Sequence, residues 1–280
     1  MSEKFKYYKF QNTVNPFGIL FHPLAIQQII RRAIHQDFFT ESDLFFYNER
    51  WHCYEIHSDL SAANKESLLQ KLNQLLVDFK SQITDATHLL ITYGTSWVYR
   101  EKASNMIVAN CHKVPQSQFE KELVSIAKIQ TSIQETIALI RSVNADCSIV
   151  LTVSPVRHIK DGFVENQRSK AQLIAAIHEQ LKTDNYFPSY EIMMDELRDY
   201  RFYAEDMLHP NSIAIDYIWE RFVESAVSED SLSIMEEVNT IQKGVAHKPF
   251  HPDSHSYQQF LKQLQAKITH LQKRYPELLF

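Results

Sequence analysis

The order of apolar patterns between residues 88 and 226 constrains the fold of this chain more than any other feature. Short apolar runs, typical of strands buried on both faces, alternate there with longer segments whose apolar residues recur at helical spacing. The predicted strands are 88–94, 148–155 and 190–194, and the predicted helices are about 119–140, 166–181 and 212–226. This alternation predicts an α/β fold, with a parallel sheet sandwiched by helices.

The segments on either side predict a hairpin and further helices. Before residue 88, the patterns indicate a short strand at 10–14, a helix at 24–35, a hairpin at 43–56 and a helix that follows an N-cap at Ser61. After Ser228, two helical segments (about 230–243 and 256–274) flank a proline-broken loop. We therefore predict one domain over residues 1–228 and a helical C-terminal appendage over 229–280.

Charge and cysteine usage exclude some classes of function. The formal charge of −5 disfavours nucleic acid and anionic membranes as partners. The sequence has neither an apolar signal region nor a run of 18 apolar residues, so no signal peptide and no membrane span are predicted. The three cysteines, Cys53, Cys111 and Cys147, lack CxxC spacing, which favours free thiols and a cytoplasmic location.

Polar residues follow the predicted strands in three loops, at 93–97, 154–158 and 203–210. Ligands of parallel α/β sheets bind at the carboxyl ends of the strands, so we expect these loops to form one rim. They supply glycine, hydroxyl, arginine, histidine and aspartate side chains, which an acyl-transfer site requires. The rim is therefore the predicted site.

Asp206 and His209 form a D-x-x-H pair in the third loop. A carboxylate three residues before a histidine can hold the imidazole in one tautomer, which leaves the other ring nitrogen able to accept a proton from a nucleophile. The alternative is a turn at a helix start in which Asp206 is only a local cap. The spacing alone leaves both interpretations open.

Five blocks of the sequence, taken together and in order, resemble the GSCFA family of SGNH-type ester hydrolases from about residue 10 to residue 225. The blocks are Asn15-Pro16-Phe17-Gly18-Ile19-Leu20, Gly94-Thr95-Ser96-Trp97-Val98-Tyr99, Asn110-Cys111-His112-Lys113, Ser154-Pro155-Val156-Arg157-His158 and Asp206-Met207-Leu208-His209-Pro210. The resemblance implies a flavodoxin-like, three-layer fold and ester hydrolysis or acyl transfer through a Ser-His-Asp triad. It implies a small-molecule or carbohydrate ester as substrate, and no cofactor.

Carried over to this sequence, the resemblance makes His209 the general base and Asp206 its orienting carboxylate. It places Gly18 and the Gly94-Thr95 turn near the oxyanion hole, and Asn110 is a further candidate donor to the oxyanion. The sequence departs from the family at its namesake segment, because Gly-Ser-Cys-Phe-Ala does not occur here.

The family register puts the missing segment, and with it the nucleophilic serine, just before Met1. Loss of a triad nucleophile costs about 10⁶-fold in rate, so the printed chain is predicted to be inactive as a serine esterase. A misassigned start explains the absence more simply than an evolved loss. The rival function is a non-catalytic binding module on the same scaffold.

Other residues have a functional and a structural interpretation. Arg157 and His158 could bind a substrate carboxylate, or Arg157 could pair with the acidic stretch 195–206. Cys111 could act as a thiol nucleophile, whereas Asn110 and His112 more simply shape a cleft or lie in a buried loop.

Three further features leave alternatives open. His247, His251 and His255 would align as metal ligands on a helix, but the prolines between them predict a loop and no metal site. Trp51, Tyr54, Trp97 and Tyr99 could stack on sugar rings or pack in the core. The C-terminal helices could dock a partner. Oligomeric state cannot be read from the sequence.

Overall fold

A computed structural model describes residues 1–180 and 186–280 of the chain. These residues form two compact units, one of Asn15–Ala214 and one that combines Met1–Val14 with Ile215–Phe280. The division of the chain into domains at residue 228 stays a prediction.

The described residues contain the following helices and strands. The helices are α1 (Ser2–Tyr7), α2 (Pro23–His35), α3 (Lys65–Asp85), α4 (Ile126–Val143), α5 (Phe163–Gln180), α6 (Ser189–Glu191), α7 (Ser212–Ala226), α8 (Glu229–Ala246) and α9 (His255–Arg274). The strands are β1 (Leu44–Tyr47), β2 (Arg50–Cys53), β3 (His88–Tyr93), β4 (Trp97–Glu101), β5 (Ile107–Val108), β6 (Phe119–Leu123), β7 (Ser148–Val153) and β8 (Tyr186–Phe187).

The larger unit contains a parallel sheet in the order β3-β7-β8. Its apolar side chains pack with those of α4 and α5, and the fully buried residues include Ile129, Ile133, Ile140, Leu151, Val153, Leu173 and Ile177. The parallel pairing and the flanking helices confirm the α/β prediction. The predicted end of α5 at residue 181 lies outside the described residues.

The expectation that residues 88–94 are buried on both faces is wrong. Ile91 and Tyr93 are buried, whereas Leu90 is 37% exposed and Thr92 is exposed. Successive side chains of a strand point to opposite faces, and β3 buries only alternate residues, so only one of its faces is covered. Continuous apolar character therefore overstated the burial of this strand.

The predicted third strand at 190–194 is also wrong, because this segment is helical. The third parallel strand is β8, which pairs Tyr186 with Leu151 of β7. Residues 189–196 then form α6 and a π-helical turn that buries Ile192 and Met193. A short apolar run fits a strand and a buried helix equally well, so periodicity could not separate them.

A second, antiparallel sheet in the order β5-β4-β6 was not predicted. Its strand β6 occupies the start of the helix expected over 119–140, and α4 begins only after Ser125, whose hydroxyl accepts a hydrogen bond from the Lys128 amide at 3.3 Å. Phe119 and Leu123 are four residues apart, as on a helix, but β4 pairs with them residue by residue. Tertiary pairing overrides the local pattern here.

The N-terminal part of the larger unit contains the predicted hairpin. β1 and β2 meet at Asn48 and Glu49, which both have positive φ, as a tight two-residue turn requires. The helix α3 is capped by Asn64 and not by Ser61, because Asn64 Oδ1 accepts from the Ser67 amide at 2.7 Å. Residues 10–14 form no strand.

The smaller unit is helical, which confirms the helical C-terminal region. α8 and α9 pack through an apolar cluster that contains Val238, Ile241, Leu264, Leu271 and Leu278. In α1, Phe5 packs against Trp219 of α7 at a ring-centroid distance of 5.1 Å. Among the described residues, none of the helices is long and apolar enough to cross a membrane.

Candidate functional site

The residues 203–210 form a short hairpin-like loop that carries Asp206 and His209. Tyr203 pairs with Pro210 in an antiparallel bridge, and the Ala204 amide donates to the His209 carbonyl at 2.8 Å. Met207 has a φ of +60°, so the chain reverses direction within the loop. The turn brings the two residues of the D-x-x-H pair onto the same side.

The Asp206 carboxylate contacts both the ring and the backbone of His209. Its Oδ2 lies 2.6 Å from His209 Nδ1, and its Oδ1 accepts from the amides of Leu208 at 2.9 Å and His209 at 3.0 Å. The His209 and Leu208 amides, followed by the His209 ring, lower the pKa of Asp206 to about 2. Asp206 is therefore both a local cap and a carboxylate that can orient the imidazole.

The tautomer of His209 follows from this contact. A carboxylate only accepts hydrogen bonds, so the proton lies on Nδ1 and the lone pair on Nε2. No hydrogen bond to Nε2 is formed within residues 1–180 and 186–280, and the His209 side chain is 59% exposed. The imidazole is thus available to accept a proton from an incoming group.

The Gly94-Thr95 turn follows β3 directly. Its two amides converge on one oxygen, the carbonyl of Phe21, at 2.7 Å and 3.1 Å. A Cβ atom on Gly94 would lie 3.2 Å from that oxygen and 3.4 Å from Nε2 of His158, so a side chain here would need these neighbours to shift by a few tenths of an ångström. Both amides therefore donate to the protein's own backbone.

Gly18 occupies a second tight turn. Its φ is +75°, and its amide donates to the Asn15 carbonyl at 2.8 Å. A Cβ atom at this position would lie 2.2 Å from the Cβ of His57. The position therefore demands glycine for two independent reasons, and its amide closes its own turn.

The turn at 154–158 connects the sheet to the Asp206–His209 loop. The Ser154 amide donates to the Tyr93 carbonyl at 2.8 Å, and the Arg157 amide donates to the Leu208 carbonyl at 3.4 Å. The His158 amide donates to Asn166 Oδ1 at 2.9 Å. The D-x-x-H loop is thus attached to the loop that follows β7, at the carboxyl edge of the sheet.

One face of α5 holds these turns, and sequence reasoning missed it. Lys170 is 1% exposed, and its Nζ donates to the carbonyls of Gly94 and Ser154, at 2.7 Å each. Burial lowers the pKa of Lys170 to about 7. Ser169 Oγ accepts from the Ser96 amide at 2.8 Å and lies 3.0 Å from Thr95 Oγ1.

A signal for this face exists in the sequence. Asn166, Ser169 and Lys170 stand three and four residues apart, which aligns them on one side of a helix that faces the core. Polar residues at buried helical positions need partners, and here the partners are the ends of β3 and β7. The spacing alone could not identify those partners.

The candidate residues fall into two groups. Hydrogen bonds and close contacts connect Gly94, Thr95, Arg157, His158 and the Asp206–His209 loop at the carboxyl edge of the parallel sheet. The other group, Gly18, Asn110 and His112, contacts the end of β2 and the residues that follow it, 53–57. No hydrogen bond between described residues joins the second group to Asp206 or His209.

The second group is built around a buried histidine. The His112 amide donates to Asn110 Oδ1 at 2.8 Å, and His112 Nε2 lies 2.7 Å from the Cys53 carbonyl. Burial lowers the pKa of His112 to about 4, so the ring is neutral at physiological pH. Burial also raises the pKa of the Cys111 thiol to about 11, which argues against a thiolate nucleophile.

The three C-terminal histidines do not align on a helix. His247 follows the end of α8, His251 lies in the loop, and His255 begins α9. Within the described part of the chain, no three His, Cys, Asp or Glu side chains are grouped closely enough to hold a metal ion.

Together, the fold and the site define an α/β protein with a carboxylate–histidine pair beside the carboxyl ends of parallel strands. The family model of the GSCFA family matches residues 1–222, and that of the GSCFA domain protein, C-terminal domain, matches residues 238–280. The chain belongs to the GSCFA family. No curated protein and no solved structure matches it.

Proposed function

We propose that this chain belongs to an SGNH-type ester hydrolase in which His209 is the general base and Asp206 orients it. The observation that carries the proposal is the 2.6 Å contact between Asp206 Oδ2 and His209 Nδ1, which directs the lone pair of Nε2 away from Asp206. The position of the pair beside the carboxyl edge of the sheet supports it, because substrates of parallel α/β proteins bind there.

The proposed reaction is acyl transfer in two halves. Nε2 takes the proton of a serine hydroxyl as its oxygen attacks the ester carbonyl, and the tetrahedral intermediate then expels the alcohol, which receives that proton. Water, deprotonated by the same nitrogen, then attacks the acyl carbon. The bond to the serine oxygen breaks, the serine takes the proton back from Nε2, and the carboxylic acid is released. The Asp206 carboxylate stabilises the imidazolium that forms in each half.

The serine of this scheme comes from the family resemblance. The resemblance places it in a Gly-Ser-Cys-Phe-Ala segment, and residues 1–280 contain no Gly-Ser pair. We therefore expect the 280-residue chain to show no His209-dependent turnover of a short-chain aryl ester such as p-nitrophenyl acetate.

The deciding experiment uses the protein isolated from its host, with its intact mass and first residues determined. If Gly-Ser-Cys-Phe precedes Met1, we expect hydrolysis that falls about 10⁴-fold or more in His209→Ala and about 10⁴-fold in Asp206→Asn. His251→Ala changes an exposed loop histidine and is the matched control, with unchanged activity.

A complete serine segment together with activity that does not depend on His209 would refute the esterase proposal. Turnover by the 280-residue chain that needs His209 would leave the role of His209 intact. It would overturn the expectation of inactivity and place the nucleophile elsewhere within these residues.

A second candidate function is binding without turnover. The amides of Gly18, Gly94 and Thr95 each donate to a backbone carbonyl, so this arrangement does not present them to an oxyanion. If the host protein begins at Met1, saturable binding of an ester that is not hydrolysed would support this function.

The substrate is proposed to be a small-molecule or carbohydrate ester. Three aromatic residues considered for sugar stacking contact other side chains. The Nζ atoms of Lys121 and Lys65 lie 4.5 Å and 5.0 Å from the ring centres of Trp97 and Trp51. The ring of Tyr54 stacks on that of Phe45, with 4.1 Å between their centres. They contribute no support for a sugar. The three cysteines are free thiols, which supports the proposed cytoplasmic location.

A further inference from the structure

Arg157 is held against the loop that carries the Asp206–His209 pair. Its guanidinium carbon lies 4.1 Å from the centre of the Tyr203 ring and 5.5 Å from that of Tyr200. Its backbone amide donates to the Leu208 carbonyl at 3.4 Å. Side chain and backbone thus attach this arginine to both sides of the 203–210 loop.

Three carboxylates of the acidic stretch 195–206 pair with other cations. Asp195 pairs with Arg198 at 3.3 Å, Asp199 pairs with Arg201 at 3.1 Å, and Asp206 pairs with His209. Arg157 forms no ion pair within residues 1–180 and 186–280. The alternative in which Arg157 pairs with the acidic stretch 195–206 is therefore not what the structure shows.

Stacking on tyrosine faces has a definite consequence for recognition. A guanidinium carries five N–H donors in one plane, more than its contacts with the tyrosine rings can engage, so donors remain available to an in-plane acceptor. A half-buried cation without a counter-ion also gains when an anion binds. A carboxylate matches the spacing of the donor fork.

We propose that Arg157 binds a carboxylate on the substrate, so that the ester carries a negative charge. The identification of the bound molecule as an ester rests on the proposed function, whereas the carboxylate subsite stands on the Arg157 contacts. The site selects a molecule with an ester at His209 and an anionic group beside Tyr203.

The test compares two probes that differ in one charge. Monomethyl succinate carries an ester and a carboxylate, whereas both carboxyl groups of dimethyl succinate are capped. Binding to the 280-residue chain is followed by ¹H–¹⁵N NMR at the Arg157 Nε–H signal and the His209 amide. We expect saturable binding of the monoanion that is about 10-fold tighter than that of the neutral diester.

Variants assign the difference to one side chain. Arg157→Met keeps the apolar stem without the charge and should lower the affinity for the monoanion about 10-fold, to that for the diester. Arg157→Lys keeps the charge without the planar fork and should give an intermediate affinity. Arg201→Met removes an exposed arginine that is paired with Asp199, and it should leave the affinity unchanged.

The proposal is overturned if both probes bind equally to the unaltered chain, or if a folded Arg157→Met binds the monoanion undiminished. The comparison of probes on the unaltered chain decides the matter even if Arg157→Met does not fold. His209→Ala should retain binding of the monoanion. If the host protein carries the serine segment and binds the monoanion but hydrolyses no ester, the esterase function is refuted and the carboxylate subsite stays intact.

Discussion

Replacement of Gly18 by alanine probes the tightest contact around the candidate site. A Cβ atom there would lie 2.2 Å from His57 Cβ and 3.0 Å from His57 Cγ, far inside van der Waals contact. The His57 segment cannot simply retreat, because its amide donates to the Phe17 carbonyl at 3.0 Å. The substitution must therefore strain the backbone or break that hydrogen bond.

The expected cost has two parts. A non-glycine residue at a φ of +75° pays about 1–2 kcal/mol for the left-handed conformation. Relief of the overlap with His57 adds about 1–3 kcal/mol, the usual cost of overpacking. The sum is about 2–5 kcal/mol, which lowers the melting temperature of a 200-residue unit by on the order of 5 to 15 °C.

The assay is thermal unfolding by circular dichroism, together with hydrogen exchange of the buried Leu151 amide in β7. A second substitution separates the two parts of the cost. His57→Gly removes the atom that the new methyl group at position 18 would strike, so the Gly18→Ala/His57→Gly pair should recover about 1–3 kcal/mol beyond additivity. His57→Ala keeps that atom and should recover little.

Two outcomes would refute this reasoning. A cost below about 1 kcal/mol for Gly18→Ala would mean that neither the overlap nor the positive φ is real. Equal recovery by His57→Ala and His57→Gly would place the strain in the imidazole ring and not at Cβ.

Three further outcomes are expected. Leu72→Ala leaves a cavity at a fully buried position of α3 and should lower the free energy of unfolding, measured in urea, by about 2–5 kcal/mol. Val77→Ala, at a 41% exposed position of the same helix, should lower it by about 0.5 kcal/mol or less. The pKa of Asp206, followed by carbon NMR, should be about 2 and should stay well below about 4 in His209→Ala, because backbone amides are the main cause of the shift. The stabilisation by the ionised carboxylate is complete above about pH 4 and is lost as the pH falls through about 2. A pKa that returns to about 4 in His209→Ala would contradict this. Cys111 should react slowly with iodoacetamide at pH 7 in the folded chain and faster as the pH approaches about 11, and modification at the unfolded rate would contradict the raised pKa.

Local sequence was sufficient for the features whose partners are close along the chain. The Asp206–His209 contact spans three residues, and one tight turn is enough to form it. The β1–β2 hairpin needs only two residues that tolerate positive φ, at Asn48 and Glu49. The helices α2 and α7 were also predicted, because their apolar stripes require nothing beyond a core to face.

Only the tertiary structure decided the features whose partners are distant along the chain. Lys170 finds carbonyl groups 76 and 16 residues away, and nothing in its helix indicates which oxygens will be there. Strand β6 forms because β4 pairs with it, although its own spacing of apolar residues suits a helix. Arg157 stacks on Tyr203, 46 positions later, and leaves the carboxylates of the same stretch to other cations. Periodicity reports which side of an element is buried, whereas the choice among possible partners depends on which elements the fold brings together.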